Sequence, residues 1–296
     1  MKKIKICSIG ECMVEISNIK NNTYKQSIAG DTLNFCAYLD KSYFDVYFFT
    51  ALGNTLLSKE TSKFINSRNI LNNFIFTEKN KEIGLYLIHN DNSGEKNFFY
   101  WRDNSAAKLF FNKVNYNKYI KFLKKFNYIY FSGITLSILN NSSLSKFSLF
   151  LMKLKKQNIK VVFDLNIRIS RWKIKNLENS LKLVLPHVDI LFASGEDLIF
   201  LKKNNNVSIF HDLVNQYNIS HGIYRKNATI NYSFFNNKKY IKKNKVFKKI
   251  VDSSGAGDGY NAAYLTNFIK TNNPQLALNQ GSKLGSKIIM KKGAII

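Results

Sequence analysis

Five short apolar runs constrain the fold of this chain more than any other feature. They are 4–9 (IKICSI), 46–51 (VYFFTA), 128–133 (YIYFSG), 160–166 (KVVFDLN) and 189–194 (DILFAS). Each is rich in β-branched or aromatic residues and closes on small or polar ones. Strands buried on both faces of a parallel sheet read this way, because neither face needs polar residues. Segments with helical spacing lie between them, at 115–125 and 142–157. The second (SSLSKFSLFLMKLKKQ) reads as a helix with a Ser cap, an apolar stripe and a basic last turn. Strand alternating with helix predicts a doubly wound α/β sheet flanked by helices. A chain of 296 residues with 45% hydrophobic content can bury such a core. Functional side chains then belong at the C-terminal ends of the strands.

Two stretches break that rhythm. Residues 13–29 (MVEISNIKNNTYKQSIA) read as two strands around a polar turn. Residues 84–102 (GLYLIHNDNSGEKNFFYWR) read as a hairpin turning at Asn92-Ser93-Gly94. Together they predict a small antiparallel sheet, either a lid over a site or a plain edge hairpin. The Lys/Asn runs at 202–206 and 236–249 read as exposed loops. No internal repeat and no linker is visible, so one domain is expected over 1–296, with lid strands inserted at 13–29 and 84–102.

The charge is lopsided: 45 Lys+Arg against 19 Asp+Glu, a net +26. Such a balance points to phosphate-rich partners when it is concentrated on one element. Here the lysines are spread through every segment, alongside an excess of Asn, Ile, Phe and Tyr and only 2 Pro. No RGG tract, zinc-finger spacing or RNP-type aromatic signature appears. The bias reads as compositional drift, and no nucleic-acid partner is expected. Cys7, Cys12 and Cys36 form no C-x-x-C pair, which fits a reducing compartment. The apolar run of MKKIKICSIGECMVEI breaks at Gly10-Glu11, so it reads as a buried first strand, not a signal peptide. No run approaches the length of a membrane span. A cytoplasmic protein is expected, with no membrane partner.

The chemistry concentrates in DSSGAGDGYNAAYL at 252–265. It is no dinucleotide fingerprint, since Tyr260 stands where the third glycine would be. It is no Walker A loop, since no Lys-Ser/Thr follows the glycines. What remains is a Gly-Ala-Gly-Asp turn opening a helix. Helix N-termini offer unpaired N–H groups and partial positive charge. Gly255, Ala256 and Gly257 are therefore candidates to hold the negative charge of a transferring phosphoryl group. Asp258 has two readings: a helix N-cap, or a carboxylate that orients a substrate hydroxyl and takes its proton.

Three features together resemble the ribokinase (PfkB-type) sugar-kinase family. The stretch DSSGAGDGYNAAYL resembles its C-terminal D-T-x-G-A-G-D signature. Ala29-Gly30-Asp31-Thr32-Leu33-Asn34 resembles its N-terminal G-G-D-x-x-N segment. The two β insertions match its lid. The segments IGECMVEIS, GDTLN, TALG, GLYLI, FFYWRDNSAAK, YFSGITLSIL and the final KKGAII further resemble the branch that acts on 2-keto-3-deoxygluconate.

The resemblance implies a ribokinase-like α/β fold with a β lid, and transfer of the γ-phosphoryl of ATP to a sugar hydroxyl with Mg²⁺, a monovalent cation being a possible further cofactor. By matching position it implies Asp258 as catalytic base and Gly255, Ala256 and Gly257 as anion hole. Gly30, Asp31, Asn34, Tyr86, Tyr100, Arg102 and Arg168 are implied as substrate contacts. Asn166, Ser194, Asp197, Arg225 and Gly257 are implied on the nucleotide side, with Asp197 and Glu196 reaching Mg²⁺ through water. A homo-oligomer joined through the lid is the expected assembly.

The substrate of that branch is an acid, and arginine grips a carboxylate through a two-pronged fork. Arg102 ends the FFYWR lid strand and Arg168 follows KVVFDLN, both at the expected substrate mouth. Tyr86 and Tyr100 share one hairpin and are either packing aromatics or donors to sugar hydroxyls. The alternatives are a kinase of a neutral sugar such as fructose or ribose, a kinase that has lost activity, or a basic nucleic-acid-binding protein.

The chain departs from the family pattern in three places. Ala29 replaces the first glycine of G-G-D. The usual N-x-x-E appears as Ser194-Gly195-Glu196-Asp197. The usual K-x-G-x-x-G turn aligns with Tyr224-Arg225-Lys226-Asn227-Ala228-Thr229, without its glycines. A turn that relied on positive φ has to be rebuilt there.

Overall fold

A computed structural model describes residues 2–20, 23–90, 96–247 and 250–296. The first half of the chain carries β1 (Ile4–Ile9), β2 (Met13–Lys20), β3 (Thr23–Ala29), α1 (Asp31–Tyr38), β4 (Phe44–Leu52), α2 (Leu56–Ser67), β5 (Ile75–Thr77), β6 (Gly84–Asn90) and β7 (Lys96–Trp101). Next come α3 (Ala106–Lys113), α4 (Asn117–Leu123), β8 (Tyr128–Ser132), α5 (Gly133–Ser137), α6 (Asn141–Lys155) and β9 (Lys160–Asp164). The remainder is α7 (Ile174–Val184), β10 (Ile190–Ser194), α8 (Gly195–Lys202), α9 (Val207–Gln216), β11 (His221–Arg225), β12 (Ile230–Phe235), β13 (Lys238–Lys243), α10 (Ala256–Thr271) and α11 (Pro274–Ile288).

The main sheet runs β13-β12-β11-β10-β9-β8-β1-β4-β5. From β5 to β11 every pairing is parallel; β12 and β13 add an antiparallel edge. The five apolar runs supply five adjacent central strands. Their lack of alternation has the expected cause. Phe131, Phe163 and Leu191 pack into one hydrophobic cluster, while Tyr130, Val162 and Phe192 pack into another across the sheet. Both faces are dry, so helices cover both.

The interrupting stretches form a second sheet, ordered β3-β2-β6-β7. Its two hairpins are antiparallel, and they join through parallel pairing of β2 with β6. Tyr86 pairs directly opposite Tyr100, with ring centroids 5.9 Å apart. The turn expected at Asn92-Ser93-Gly94 lies outside the described residues.

Two local expectations are corrected. The cap of α6 is Asn140, whose side chain accepts from the Ser143 N–H at 2.8 Å, not a serine. Asparagine presents its oxygen to a first-turn N–H as well as serine does. The run 236–249 is not all loop, because Lys238–Lys243 forms the edge strand β13. Lysines on an edge strand keep it from pairing with other chains, so a basic composition and a strand are compatible there. Among the described residues, no helix is long and apolar enough to cross a membrane.

Candidate active site

The strand order locates the site. From β1 the chain moves outward to β4 and β5, then returns to the other side of β1 with β8 and proceeds to β11. Such a reversal opens a crevice beyond the C-terminal ends of the strands. A cleft of about 830 Å³ lies there, between those ends and the small sheet. Glu11 enters it after β1, Asp164 and Asn166 from the end of β9, Ser194 from β10 and Arg225 from β11. All the residues singled out from sequence line this cleft except Ala256. The N–H of Ala256 is taken by the Ser253 carbonyl at 3.3 Å.

Asp258 is not a helix cap. The N-cap of α10 is Gly255, at φ +70°, which leaves Asp258 at the third helical position. A Cβ on Gly255 would stand 2.3 Å from the Ala294 carbonyl oxygen, so both conformation and space require glycine. The Asp258 carboxylate accepts from Asn34 Nδ2 at 2.8 Å. It is 8% exposed. Burial pushes its pKa up to about 7, with the Asp31 charge adding to the rise; Asn34, Arg168 and Arg225 pull it back. Burial and a nearby carboxylate have thus brought this group close to neutral pH, where a base exchanges protons most readily.

The Asn34 side is built on the start of α1. Gly30 caps that helix at φ +139°, and a Cβ there would stand 2.6 Å from the Glu11 carbonyl oxygen. This close passage sets Asp31 and Asn34 facing α10. Asp31 accepts from Asn166 Nδ2 at 2.8 Å and from the Thr32 N–H at 2.9 Å. Asn166 itself sits at φ +33°, a left-handed position that asparagine tolerates.

The lid side holds two buried carboxylates that the sequence did not mark. Glu11 pairs with Arg102 and also accepts from Ser105, and both charged side chains are buried. Glu15 accepts from the Tyr86 hydroxyl and, at 3.1 Å, from Ser27. Burial and the Glu15 charge hold the Tyr86 hydroxyl firmly protonated. Arg102 and Tyr86 therefore line the cleft as expected, but each is already committed to a carboxylate. Tyr100 and Arg168 remain exposed. The only sequence signal for Glu11 and Glu15 is an acid embedded in an apolar strand region, which asks for a partner.

The opposite end carries the N-termini of α8 and α10. Ser194 and Asp197 form a reciprocal capping box on α8. Asp197 accepts from the Ser194 N–H at 2.6 Å, the Ser194 hydroxyl at 2.7 Å and the Ile167 N–H at 2.7 Å. Its carboxylate is nearly saturated, whereas Glu196 next to it is exposed. Arg225 lies under Gly257, 3.9 Å from Asp164 Oδ1 and 5.3 Å above the Tyr260 ring. Asp164 is pushed up to about 8 by burial, with Arg225 opposing.

The turn after Arg225 closes without glycine. No residue of 226–229 has positive φ. Asn227 Oδ1 instead accepts from the Thr229 N–H at 2.9 Å, the Ile230 N–H at 3.2 Å and the Thr229 hydroxyl at 2.5 Å. An Asx turn has replaced the glycine turn.

An anion fits this end: a helix N-terminus opened by glycine, with a guanidinium beneath it. Among the described residues no cluster of three metal-ligating side chains exists.

The sequence profile of the pfkB family of carbohydrate kinases matches residues 3–296. A 2-dehydro-3-deoxygluconokinase of Haemophilus influenzae is 30% identical over 303 residues, covering 99% of this chain and 95% of that protein. Among solved structures, a 2-dehydro-3-deoxygluconokinase from Thermotoga maritima superposes with a TM-score of 0.85 at 20% identity, covering 100% of this chain and 95% of that one. A putative ribokinase II from E. coli, in complex with ATP and Mg²⁺, superposes with a TM-score of 0.86 at 17% identity, covering 99% and 94%.

Proposed function

The chain belongs to the pfkB family of carbohydrate kinases, and from that premise we propose that it is a 2-keto-3-deoxygluconate (2-dehydro-3-deoxygluconate) kinase. It passes the γ-phosphoryl of ATP to the sugar acid, giving ADP and 2-keto-3-deoxy-6-phosphogluconate. The observation that supports phosphoryl transfer is the placement of Asp258, and similarity to 2-dehydro-3-deoxygluconokinases over nearly the whole chain supports the substrate. A buried carboxylate with its pKa near 7 stands between a glycine-opened helix N-terminus and the Asn34–Asp31 cluster.

In this reading Asp258 orients the acceptor hydroxyl and takes its proton late in transfer. Asn34 fixes the carboxylate rotamer through its hydrogen bond. Asp31, held by Asn166, offers a second carboxylate to sugar hydroxyls. Gly255 and Gly257 present backbone N–H groups to the transferring phosphoryl, and Arg225 adds positive charge from below. Ala256, whose N–H bonds the Ser253 carbonyl at 3.3 Å, continues the turn between the two glycines. Ser194 and Asp197 shape the nucleotide floor through the capping box. Mg²⁺, when bound with ATP, supplies charge neutralisation on the phosphates, with Glu196 the acid placed to hold it through water. The small sheet, whose strand β7 exposes Tyr100 toward the cleft mouth, closes over the sugar and excludes water.

The remaining parts of the reading are a single domain over 1–296, a cytoplasmic location and a homodimer. Strand β7 leaves Phe98, Phe99 and Trp101 at 45%, 50% and 60% exposure on a lid edge, which suits pairing with a second copy. Light scattering tests it: a monomer at micromolar concentration removes the dimer.

A coupled ADP-release assay tests the activity. Turnover of 2-keto-3-deoxygluconate should far exceed that of fructose and ribose. Equal or better turnover of a neutral sugar overturns the substrate assignment.

A further inference from the structure

Arg102 and Arg168 are the two guanidiniums whose sequence positions match substrate contacts, but Arg102 is already committed to a carboxylate of the protein and Arg168 acts at the reacting end. Arg102 is bound to Glu11 inside the protein, with side-chain exposures of 5% and 1%, and the second oxygen of Glu11 is taken by Ser105. Arg168 is exposed at the cleft, and its charge acts on Asp258 at the reacting end.

A third arginine lines the same cleft. Arg171 ends the 3-10 turn Ile169–Arg171, which is closed by its N–H bonding the Arg168 carbonyl at 2.8 Å. Its side chain is half-buried, and its Nε is buried without any hydrogen-bond partner. Among the described residues it makes no ion pair.

Its charged surroundings are Arg102, Asp103, Glu11 and the Tyr100 hydroxyl. Glu11 is neutralised by Arg102. Asp103 is held by Lys108 at 2.8 Å, and its side chain is 82% exposed. Arg171 thus sits beside another guanidinium with no anion of its own. A half-buried cation in that position is unfavourable until an anion arrives.

We infer that Arg171 is a specificity-determining residue that takes the carboxylate of the sugar acid at the lid end of the cleft. This rests on the acid-sugar reading above. The carboxylate and the phosphoryl-accepting hydroxyl sit at opposite ends of the substrate chain. With the hydroxyl at Asp258, the far end points to the lid, where Arg171 stands beside Tyr100 and Arg102. The Glu11 pair then holds Arg102 back from the substrate and leaves Arg171 free for the fork.

The test compares kcat/KM for 2-keto-3-deoxygluconate with that for its methyl ester, which keeps the chain and removes the charge. In Arg171→Gln the preference for the acid should fall by roughly 10- to 100-fold, the scale of a charge-assisted hydrogen bond. The loss should appear in KM for the acid, and Arg171→Lys should recover part of it. Calorimetric binding of the acid without ATP should weaken in the same order.

If the wild type prefers the acid and Arg171→Gln keeps that preference, the inference fails and the acid-sugar reading stands. If the wild type does not distinguish acid from ester, both fail. If Arg171→Gln loses acid and ester equally, Arg171 has a structural role and the inference fails. Should that variant not fold, Arg171→Lys decides alone, because it keeps the charge and loses the fork: an unaltered preference overturns the assignment.

Discussion

Asn34 and Asp258 are separated by 224 positions in sequence, yet the Asn34 side-chain amide donates to the Asp258 carboxylate at 2.8 Å. This bond joins the start of α1 to the first turn of α10. It stabilises the charged form of a carboxylate that burial and Asp31 drive toward neutrality. The pKa of about 7 is therefore a balance between these opposing effects.

Asn34→Leu removes the donor. The Asp258 pKa should rise, and the acid limb of the kcat/KM profile should move to higher pH. The variant should lose more activity at about pH 6 than at about pH 9, since a base works only when ionised. A pH–rate profile of both proteins checks this; an unmoved acid limb contradicts it.

Asp258 should also cost stability at neutral pH. Its folded pKa is raised above the unfolded value, so between about 3.8 and about 7 the folded state holds a proton that the unfolded state has released. Stability attributable to this group falls as pH climbs through that window and stays low above it. Asp258→Asn should be more stable than wild type at pH about 8, by on the order of 1–3 kcal/mol. The two should nearly coincide at pH about 4. Urea unfolding at both pH values reads the difference.

The Glu11–Arg102 pair predicts the opposite sign. Both side chains are buried, so removing one strands the other. Arg102→Gln should destabilise by about 3–5 kcal/mol, the usual cost of an uncompensated buried charge. Adding Glu11→Gln should recover part of that loss. Denaturant melts of the single and double variants test it; a neutral single variant removes the pair's structural role.

Asn227 holds the glycine-free turn through three bonds to one oxygen. Asn227→Ala should loosen the turn beside Arg225 and raise KM for ATP by roughly 3- to 10-fold, with KM for the sugar little altered. Two-substrate kinetics separates the terms. A change on the sugar side alone would place the turn elsewhere in function.

The central sheet was legible because its strands are dry on both faces, which leaves an unbroken apolar run in sequence. Strand β13 was not, because KKYIKK lies at an edge where lysine is favoured and hides the strand. The Gly255–Asp258 turn was legible as chemistry, but spacing alone left Asp258 open between cap and base. Only the fold shows Gly255 in the capping position. Glu11 and Glu15 escaped because their partners Arg102 and Tyr86 are remote in sequence. Arg171 escaped because nothing in a chain of scattered cations marks a half-buried one whose Nε has no hydrogen-bond partner. The Asx turn carried a readable signal, Asn227 followed two residues later by Thr229, where a family pattern leads the eye to missing glycines.

The most direct test of the account is turnover and binding of one variant, Asp258→Asn, with ATP, Mg²⁺ and 2-keto-3-deoxygluconate. Turnover should fall by about 10²- to 10⁴-fold, the range for loss of a general base, while calorimetric binding of the sugar acid stays within a few-fold of wild type. Turnover equal to wild type in a folded Asp258→Asn protein would contradict the assignment of Asp258 as the base, and with it the account of this cleft.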